Sequence, residues 1–221
     1  MTITNNRKGE QTMMFITLEG GEGSGKTTQM VKIGKFLESK GSKYIVTREP
    51  GGTEIGAQIR RIVKNKNNTD LTPEAELLLY MADRVQHIQE IIAPALTAGK
   101  VVLCDRYYDS TSVYQGTARG LELNLINQLH SLFYVPIPDI TFLLDLSPEI
   151  GLLRAWSHIN AGERDKTQTR FEYEKITFHN KVREGYLKLA KKELHRFCVI
   201  NAEQEPNAVW QDIKKVLEKF F

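Results

Sequence analysis

The feature that most constrains how this chain folds is a glycine-rich segment near its start, residues 20–27, with the sequence GGEGSGKT. It matches the phosphate-loop pattern G-x-x-x-x-G-K-[ST] and follows a short apolar run, Phe15 to Leu18, typical of a buried strand. A helical pattern begins directly after it. In such a unit the glycines let backbone N–H groups surround phosphate oxygens, and the helix N-terminus adds partial positive charge. The segment therefore predicts a nucleoside-triphosphate site; the alternative is a glycine-rich turn with an accidental lysine.

Two residues of this loop have specific expected roles. Lys26 reaches the β- and γ-phosphates as a mobile cation, and the Thr27 hydroxyl ligates Mg²⁺. A third group, Arg154, lies on a later helix and is added as a further cation for the triphosphate. The predicted ATP-binding residues are Gly20, Gly21, Glu22, Gly23, Ser24, Gly25, Lys26, Thr27, Thr28 and Arg154.

Composition places the chain among globular proteins. Of its 221 residues 41% are hydrophobic and 26% charged, and the net charge of +3 is too small to indicate a nucleic-acid or membrane partner. There is no apolar run of about 18 residues, so we expect no membrane span. Cys104 and Cys198 lie in apolar runs, which favours buried thiols in a reducing cytoplasm over a disulfide or metal pair. Residues 1–13 lack the apolar core of a secretory signal; we expect a flexible polar tail before a single domain, 14–221.

Short apolar runs alternate with amphipathic segments along the whole domain, which predicts an α/β fold with a parallel sheet and helices on both faces. The predicted strands are 15–18, 42–47, 100–104, 140–145 and 197–200. The predicted helices are 27–40, 54–64, one from 72 that bends or restarts at Pro94, 109–114, 123–133, 148–159, 169–189 and 206–221. Residues 116–120 are expected to form a mobile turn.

Charged side chains follow two of the predicted strands. Arg48 comes after the second strand, and Asp105 and Arg106 come after the third. Ligands of an open parallel sheet bind outside the carboxyl ends of its strands, beside the phosphate loop. Two arginines there favour bidentate capture of a second phosphorylated molecule. The alternative is surface ion pairing with Glu49 or Asp109.

The segment 160–168, NAGERDKTQ, is charged and turn-rich and lies between two predicted helices. We interpret it as a lid, because a phosphoryl-transfer enzyme must exclude water from its donor. Arg164 in the lid, with Arg154 and Arg170 on its flanks, is a candidate for placing positive charge on the migrating phosphoryl group; a solvated loop arginine is the alternative for each. The chain has no N-K-x-D segment, which argues against a GTPase switch.

Several segments, taken together and in this order, resemble the bacterial thymidylate kinases: FITLEGGEGSGKTTQ, TREPGGTEIG, AELLLYMADRVQHI, DRYYDSTSVYQG and the TRFE that closes the lid. The resemblance extends from about Met14 to the C-terminus. It implies a P-loop nucleoside-monophosphate kinase with a five-stranded parallel sheet. It also implies transfer of the γ-phosphoryl group of MgATP to dTMP, giving dTDP and ADP in dTTP synthesis, and a homodimer. The apolar positions along 72–92 offer an interface for such a dimer, and a buried core explains them equally well.

The same resemblance assigns roles around the acceptor. It implies that Glu22 faces the deoxyribose, that Arg48 and Arg106 clamp the acceptor phosphate, and that Asp105 organises Mg²⁺ through water. It places Lys26, Asp105, Arg106 and Arg164 in the catalytic machinery. The implied dTMP-binding residues are Glu22, Arg48, Tyr80, Arg84, Arg106, Ser110, Thr111, Tyr114 and Gln115.

For the base and sugar, the resemblance implies that Arg84 hydrogen-bonds thymine and that Tyr114 lies near the sugar, where it disfavours ribonucleotides. Tyr80 stands where the family usually has a phenylalanine stacked on the base, so its hydroxyl needs a partner or water. Some relatives carry a further lid arginine shortly after the position of Arg154, where this chain has Trp156–His158. Arg164 is therefore the first choice for the lid cation and Arg170 the second.

Two other functions stay open at this stage. One is another small nucleotide kinase or a deoxynucleoside kinase of the same fold; a nucleoside kinase needs a base near the acceptor hydroxyl and little positive charge for an acceptor phosphate. The other is a nucleotide-dependent binding or switch protein that has no phosphoryl acceptor. Arg48 and Arg106 together favour a monophosphate acceptor, and the lid and this second basic site count against the switch protein.

Overall fold

Five strands pair in parallel to form the sheet that carries the site. In the computed structural model, which describes residues 13–221, the strand order is β2-β3-β1-β4-β5. The strands are β1 (Met14–Glu19), β2 (Tyr44–Arg48), β3 (Val101–Asp105), β4 (Ile140–Asp145) and β5 (Phe197–Asn201). The predicted fold class is confirmed, with strand ends within two residues of those expected. The predicted tail lies, apart from Met13, outside the described residues.

The helices are α1 (Lys26–Ser39), α2 (Glu54–Lys64), α3 (Pro73–His87), α4 (Ala93–Thr97), α5 (Tyr108–Thr111), α6 (Leu123–Leu132), α7 (Pro148–Asn160), α8 (Ile176–Lys192) and α9 (Pro206–Leu217). Side-chain caps begin three of them. Thr53 accepts from the Gly56 N–H at 2.9 Å, and Thr72 and Ser147 do the same for α3 and α7. Such caps satisfy N–H groups that have no partner within the helix. Within residues 13–221, no helix is long and apolar enough to cross a membrane.

The expected restart at Pro94 takes the form of a π-helical segment, Ile88–Ile92, between α3 and α4. A second π-helical segment, Ser112–Ala118, corrects the prediction of a mobile turn at 116–120. Gly116 is there for close packing, since a Cβ atom at this position would come within 2.5 Å of the Leu123 side chain. The chain turns only at Gly120, where φ is +87°.

The helix predicted from Thr169 also begins later, at Ile176. The intervening residues are bound to another element instead: the Arg170 N–H donates to the Lys64 carbonyl at 3.2 Å. The closing helix ends at Leu217, four residues before the end of the chain. These differences arise because tertiary contacts override the local helical preference.

Helices cover both faces of the sheet, and the alternation of side chains along each strand shows it. Along β1, Ile16 and Leu18 pack into one cluster, together with residues of α1 and α9, whereas Phe15 packs into another with the π-helical segment Ile88–Ile92 and α4. Successive side chains of a strand point to opposite faces, so both faces of β1 are buried. Cys104 is buried in the second of these clusters and Cys198 is half-buried; both are free thiols.

Register places the functional ends of the strands together. Asp105 at the end of β3 is level with Leu18 of β1 on one side and Arg48 of β2 on the other. The phosphate loop leaves β1 directly beyond this level. The sheet therefore delivers three chemically active segments to one edge.

The packing of the core predicts how much stability is lost when a buried side chain is shortened. Leu37 of α1 is fully buried in the cluster between α1, α9 and the sheet. We expect Leu37→Ala to lower the free energy of unfolding by roughly 2–5 kcal/mol, because it removes buried methyl groups and leaves a cavity. Urea denaturation measures this change. The matched control is Leu153→Ala, at a side chain 73% exposed, and equal losses for the two variants would contradict the prediction.

Candidate active site

A cavity of about 710 Å³ opens at the carboxyl ends of β1, β2 and β3. It brings together most of the residues that the sequence singled out, from the phosphate loop to the lid. Those lining it are Glu22, Gly23, Ser24, Gly25, Lys26, Thr27, Thr28, Arg48, Tyr80, Arg84, Asp105, Arg106, Ser110, Thr111, Tyr114, Gln115 and Arg164. Arg154 lies outside this set, and donates to the carbonyl oxygens of Ala202 and Glu203 at 2.9 and 3.3 Å.

The phosphate loop lies against the start of α7 with no room for side chains. A Cβ atom at Gly23 would overlap the carbonyl oxygen of Gly151, and one at Gly151 would overlap the carbonyl oxygen of Glu22. Gly23 also has φ of +67°, a left-handed conformation that favours glycine. These contacts fix the loop beside β4 before any ligand is present.

Lys26 is held by oxygen atoms of its own loop. Its Nζ donates to the carbonyls of Gly20 and Gly21 at 3.2 and 3.0 Å and to Ser24 Oγ at 3.0 Å. Burial lowers the pKa of Lys26 to about 8; Arg106 lowers it further, and nearby carboxylates oppose the shift. The ammonium is thus oriented but shielded from water, which strengthens its interaction with an anion.

Glu22 is the negative centre of the cavity. Arg106 donates to its Oε1 at 2.9 Å, and the Tyr114 hydroxyl lies 3.3 Å from the same oxygen. Burial tends to raise the pKa of Glu22, but Arg106, Lys64 and Lys26 together hold it below its ordinary value. The carboxylate therefore stays ionised among the cations that face it.

Arg106 is positioned by a residue that the sequence reading missed. Its backbone is left-handed, with φ of +64°, which is unfavourable for a side chain of this size. Glu19, at the end of β1, accepts from the Tyr107 N–H at 2.7 Å and from the hydroxyls of Ser110 and Tyr186 at 2.6 and 2.7 Å. Glu19 thus ties down the turn that carries Arg106. The signal in the sequence that could have identified Glu19 is an acidic residue at the end of a buried apolar strand.

At the far end of the cavity, Arg84 is 1% exposed and already bonded. Its Nε donates to Glu49 at 2.8 Å and its NH1 to Thr111 Oγ1 at 2.9 Å, with His130 Nε2 at 3.2 Å. Burial and Arg84 lower the pKa of His130 to about 3, so this imidazole is neutral and accepts. Glu49 also binds His87 Nδ1 at 2.9 Å. The guanidinium is locked in one orientation.

Gln115 and Tyr80 complete this end of the cavity. Gln115 Nε2 donates to Glu76 Oε1 at 2.6 Å, which fixes the orientation of its amide. Burial raises the pKa of the Tyr80 hydroxyl, and Glu76 raises it further. Tyr80, which lines the cavity, is therefore a neutral aromatic residue.

The two candidate lid arginines have different surroundings. Arg164 lines the cavity and pairs with Glu172, with its side chain 31% exposed. Arg170 is outside the cavity lining and 8% exposed; it donates to the Val63 carbonyl at 2.7 Å and pairs with Glu76. Arg164 thus faces the cavity, whereas Arg170 ties the lid to α2 and α3.

Helix α2 contributes two cations that the sequence reading passed over as part of an ordinary amphipathic helix. Arg60 lines the cavity and donates to the Pro50 carbonyl at 2.9 Å and to Gln168 Oε1 at 3.1 Å. Lys64 lines it too and is 9% exposed. Neither follows a strand, so the rule that selected Arg48 and Arg106 did not reach them.

The donor set at the sheet edge fits Mg²⁺. Asp105 Oδ1 is buried and has no hydrogen-bond partner among the described residues, and Thr27 presents its hydroxyl to the same cavity. Carboxylate and hydroxyl oxygens suit a hard cation. Between residues 13 and 221 there is no group of three or more His, Cys, Asp or Glu side chains placed to hold a metal. Mg²⁺ commonly takes few protein ligands and completes its shell with phosphates and water.

Sequence comparison identifies the family. A family model described as thymidylate kinase matches residues 18–213. The chain belongs to the thymidylate kinase family. It is 52% identical over 190 residues to a thymidylate kinase of Desulfosudis oleivorans, covering 86% of this chain and 89% of that one. It is 48% identical over 208 residues to one from Maridesulfovibrio salexigens, covering 93% and 96%.

A solved structure agrees with these relatives. The crystal structure of thymidylate kinase from Ehrlichia chaffeensis superimposes with a TM-score of 0.75 at 34% identity, covering 93% of this chain and 99% of that chain. Thymidylate kinases are ATP-dependent phosphotransferases that convert dTMP to dTDP. The predicted family, fold and enzyme class are therefore confirmed.

The brace formed by Glu19 predicts a pH dependence of stability. Burial raises the pKa of Glu19 from 4.5 to about 7; Asp109 adds to the shift and Arg106 opposes it. Between these values the folded chain binds more protons than the unfolded one, so this group lowers the free energy of unfolding as pH rises from 4.5 to 7. Glu19→Gln removes this titrating group. Between pH 4.5 and pH 7 we therefore expect the free energy of unfolding of the variant to fall by on the order of 2 kcal/mol less than that of wild type.

Urea denaturation of wild type and Glu19→Gln between pH 5 and pH 8 measures the difference. The control is Glu184→Gln, at an exposed glutamate on α8, which should follow the wild-type curve. Parallel curves for all three proteins would show that Glu19 does not titrate in this range.

Proposed function

We propose that the cavity holds MgATP and dTMP together and that the γ-phosphoryl group passes directly between them. The observation that carries this proposal is the continuity of one cavity from the phosphate loop to the locked Arg84, with the lid above it. ATP binds at the loop, with its phosphates at Lys26 and the N-terminus of α1. dTMP occupies the remainder, with its base at Arg84 and its phosphate at the ends of β2 and β3.

Arg48 and Arg106 bind the acceptor phosphate in this proposal. The sequence had left open that they pair with Glu49 or Asp109. Glu49 is instead bound to Arg84 and His87. Asp109 is bound to Arg196 at 2.7 Å. Within the described chain Arg48 has no ion pair, so its guanidinium is available to a bidentate oxyanion.

In this proposal thymine is recognised by side chains that hydrogen bonds within the protein already hold in place. Arg84 donates to the base through its remaining N–H groups. Thr111 and Gln115 lie along the base, beside the Tyr80 ring. A site that buries fixed polar groups rejects a base that leaves them unpaired. Ser110 lies at this wall, but its hydroxyl is engaged by Glu19 and Tyr186, so we assign it to holding Arg106.

Tyr114 and Glu22 face the sugar. The Tyr114 ring lies beneath the Arg106 guanidinium, 5.0 Å from centroid to Cζ, and its hydroxyl points to Glu22. This arrangement fills the space beside the deoxyribose with a rigid ring. A 2′-hydroxyl would have to displace it, which favours deoxyribonucleotides.

The lid excludes water and brings Arg164 to the transferred group. Arg164 is paired with Glu172, and a phosphate of higher charge competes for it. Mg²⁺, held by Thr27 and through water by Asp105, would neutralise charge on the phosphates. Arg154, bonded to the carbonyls after β5, serves the ATP side from outside the main cavity.

We also propose a homodimer in the cytoplasm. Most apolar residues of 72–92 belong to the core, including Leu77, Met81 and Ile88, so they do not form the interface. Leu78 of α3 is 60% exposed, and Ile55 and Ile62 of α2 are also exposed. This apolar surface on two adjacent helices supports the dimer.

The substrate assignment predicts selectivity. We expect kcat/KM for dTMP to exceed those for dCMP and dGMP by at least about tenfold, since each wrong base leaves a buried donor or acceptor unpaired. A coupled ADP-release assay over the nucleoside monophosphates and thymidine measures it. Lys26→Ala, expected to lose turnover by a factor on the order of 10²–10³, shows that the signal comes from this site. Comparable values for dTMP and dCMP, or turnover of thymidine alone, would contradict the assignment.

The two lid arginines predict different phenotypes. Arg164→Ala should lower kcat and kcat/KM alike while leaving dTMP affinity in place, because its charge meets the phosphoryl group mainly in the transition state. Arg170→Ala should instead destabilise the fold by about 3–5 kcal/mol, because it leaves Glu76 buried without that partner. Steady-state kinetics and thermal denaturation on both variants separate the roles. A silent Arg164→Ala, with chemistry shown to be rate-limiting, would remove Arg164 from the mechanism.

A further inference from the structure

Lys64, the last residue of α2, is a largely buried lysine that lines the active-site cavity and has no side-chain partner within residues 13–221. The residue is 9% exposed and lines the cavity. No hydrogen bond or ion pair to the Lys64 side chain occurs between residues 13 and 221. An ammonium removed from water without a compensating partner carries a substantial desolvation cost.

The other cations around Glu22 are all engaged. Lys26 is bonded to carbonyls of its own loop, Arg106 to Glu22 itself, and Arg164 to Glu172. Lys64 is the member of this group that keeps its donors free. The free donors of a buried cation are available to an anionic ligand without breaking an existing bond.

The position of Lys64 is fixed from both sides. Its carbonyl accepts from the Arg170 N–H at 3.2 Å, and the Lys66 N–H donates to the Thr167 carbonyl at 3.0 Å. These bonds hold the end of α2 against the end of the lid. Lys64 therefore lies where the end of α2 meets the end of the lid, and its side chain lines the cavity.

The charges near Lys64 agree with this location. Burial lowers the pKa of Lys64 to about 8; Glu22 opposes the shift, Arg60 adds to it, and Glu172 opposes it. A group near Glu22, Arg60 and Arg164 stands where phosphate groups gather in the proposed function. A bound phosphate would supply the counter-charge that the free protein does not place within bonding distance.

We infer that Lys64 is a further cation of the phosphoryl-transfer site and that its ammonium binds a phosphate oxygen of the bound nucleotides. This inference rests on the proposed function for the identity of those nucleotides. Two phosphates are in reach of the same chemistry, the phosphate of dTMP and the γ-phosphate of ATP. In either case Lys64 adds a point charge beside the arginines, which act by bidentate contact.

The test compares Lys64→Met, which keeps the length and burial of the side chain but removes its charge, with Lys64→Arg, which keeps the charge. Lys66→Met, at an exposed lysine two residues away, is the control. Calorimetry measures the affinities of single ligands in matched pairs, dTMP with thymidine and MgATP with MgADP, so that each pair differs by one phosphate. Steady-state assays give kcat, and thermal denaturation of the free proteins gives the midpoint.

A contact with the dTMP phosphate predicts that Lys64→Met weakens dTMP binding roughly ten- to hundredfold and leaves thymidine binding unchanged. A contact with the γ-phosphate predicts that MgATP affinity or kcat falls by a similar factor while MgADP and dTMP binding stay the same. In both cases Lys64→Arg retains most of the function. The thermal midpoint of free Lys64→Met equals or exceeds that of wild type, because an unpaired buried charge has been removed.

Two results would overturn the inference. One is an unchanged kcat together with unchanged affinities for all four ligands. The other is a parallel loss of affinity for all four with a lowered thermal midpoint, which assigns Lys64 to packing of the lid. Because the binding measurements involve no turnover, they remain decisive even if wild type failed to phosphorylate dTMP, a result that would count against the proposed function alone.

Discussion

The contact between Gly23 and Gly151 sets the position of everything in the active site. A Cβ atom at Gly23 would overlap the Gly151 carbonyl oxygen, and one at Gly151 would overlap the Glu22 carbonyl oxygen, so the phosphate loop lies directly on the start of α7. Glu22 and Lys26 lie on either side of Gly23 in the loop, so this contact fixes their positions. The sheet then supplies Arg48 and Arg106 at the level where β2 and β3 end. A side chain at either glycine would push the loop away from α7 and change its position relative to Arg48 and Arg106, the residues proposed to bind the acceptor phosphate.

Three arginines of the cavity are held by carboxylates. Glu49 holds Arg84, Glu22 holds Arg106, and Glu172 holds Arg164. These pairs differ in what a nucleotide does to them. The first is buried, whereas Arg106 and Arg164 of the other two line the cavity, where the proposed function has phosphate oxygens compete with Glu22 and Glu172 for them. These carboxylates limit the repulsion among the clustered cations.

Local patterns in the sequence were sufficient for the loop, the strands and the residues at strand ends, because each depends on neighbours a few positions away. The same reasoning failed where a role depends on distant contacts. Gly116 looked like a flexible turn, yet it is a packing position against Leu123. Glu19 and Lys64 drew no attention, since only the folded chain shows that one braces the Arg106 turn and that the other faces the cavity. Whether Arg164 or Arg170 meets the nucleotide likewise depends on the contacts of α2, more than a hundred residues earlier.

The fixed orientation of Arg84 affects how base selectivity can change during the evolution of this protein. Its guanidinium is oriented by Glu49, Thr111 and His130 when the chain folds, so ordering it adds nothing to the entropy lost on ligand binding. If Arg84 binds the base as proposed, base recognition depends on a residue that is itself part of the buried core. Substitutions that alter selectivity at this end of the cavity also remove hydrogen bonds from the buried partners of Arg84. They therefore lower the stability of the fold at the same time. Such a wall is expected to evolve slowly, while the lid and the outer cations remain free to vary.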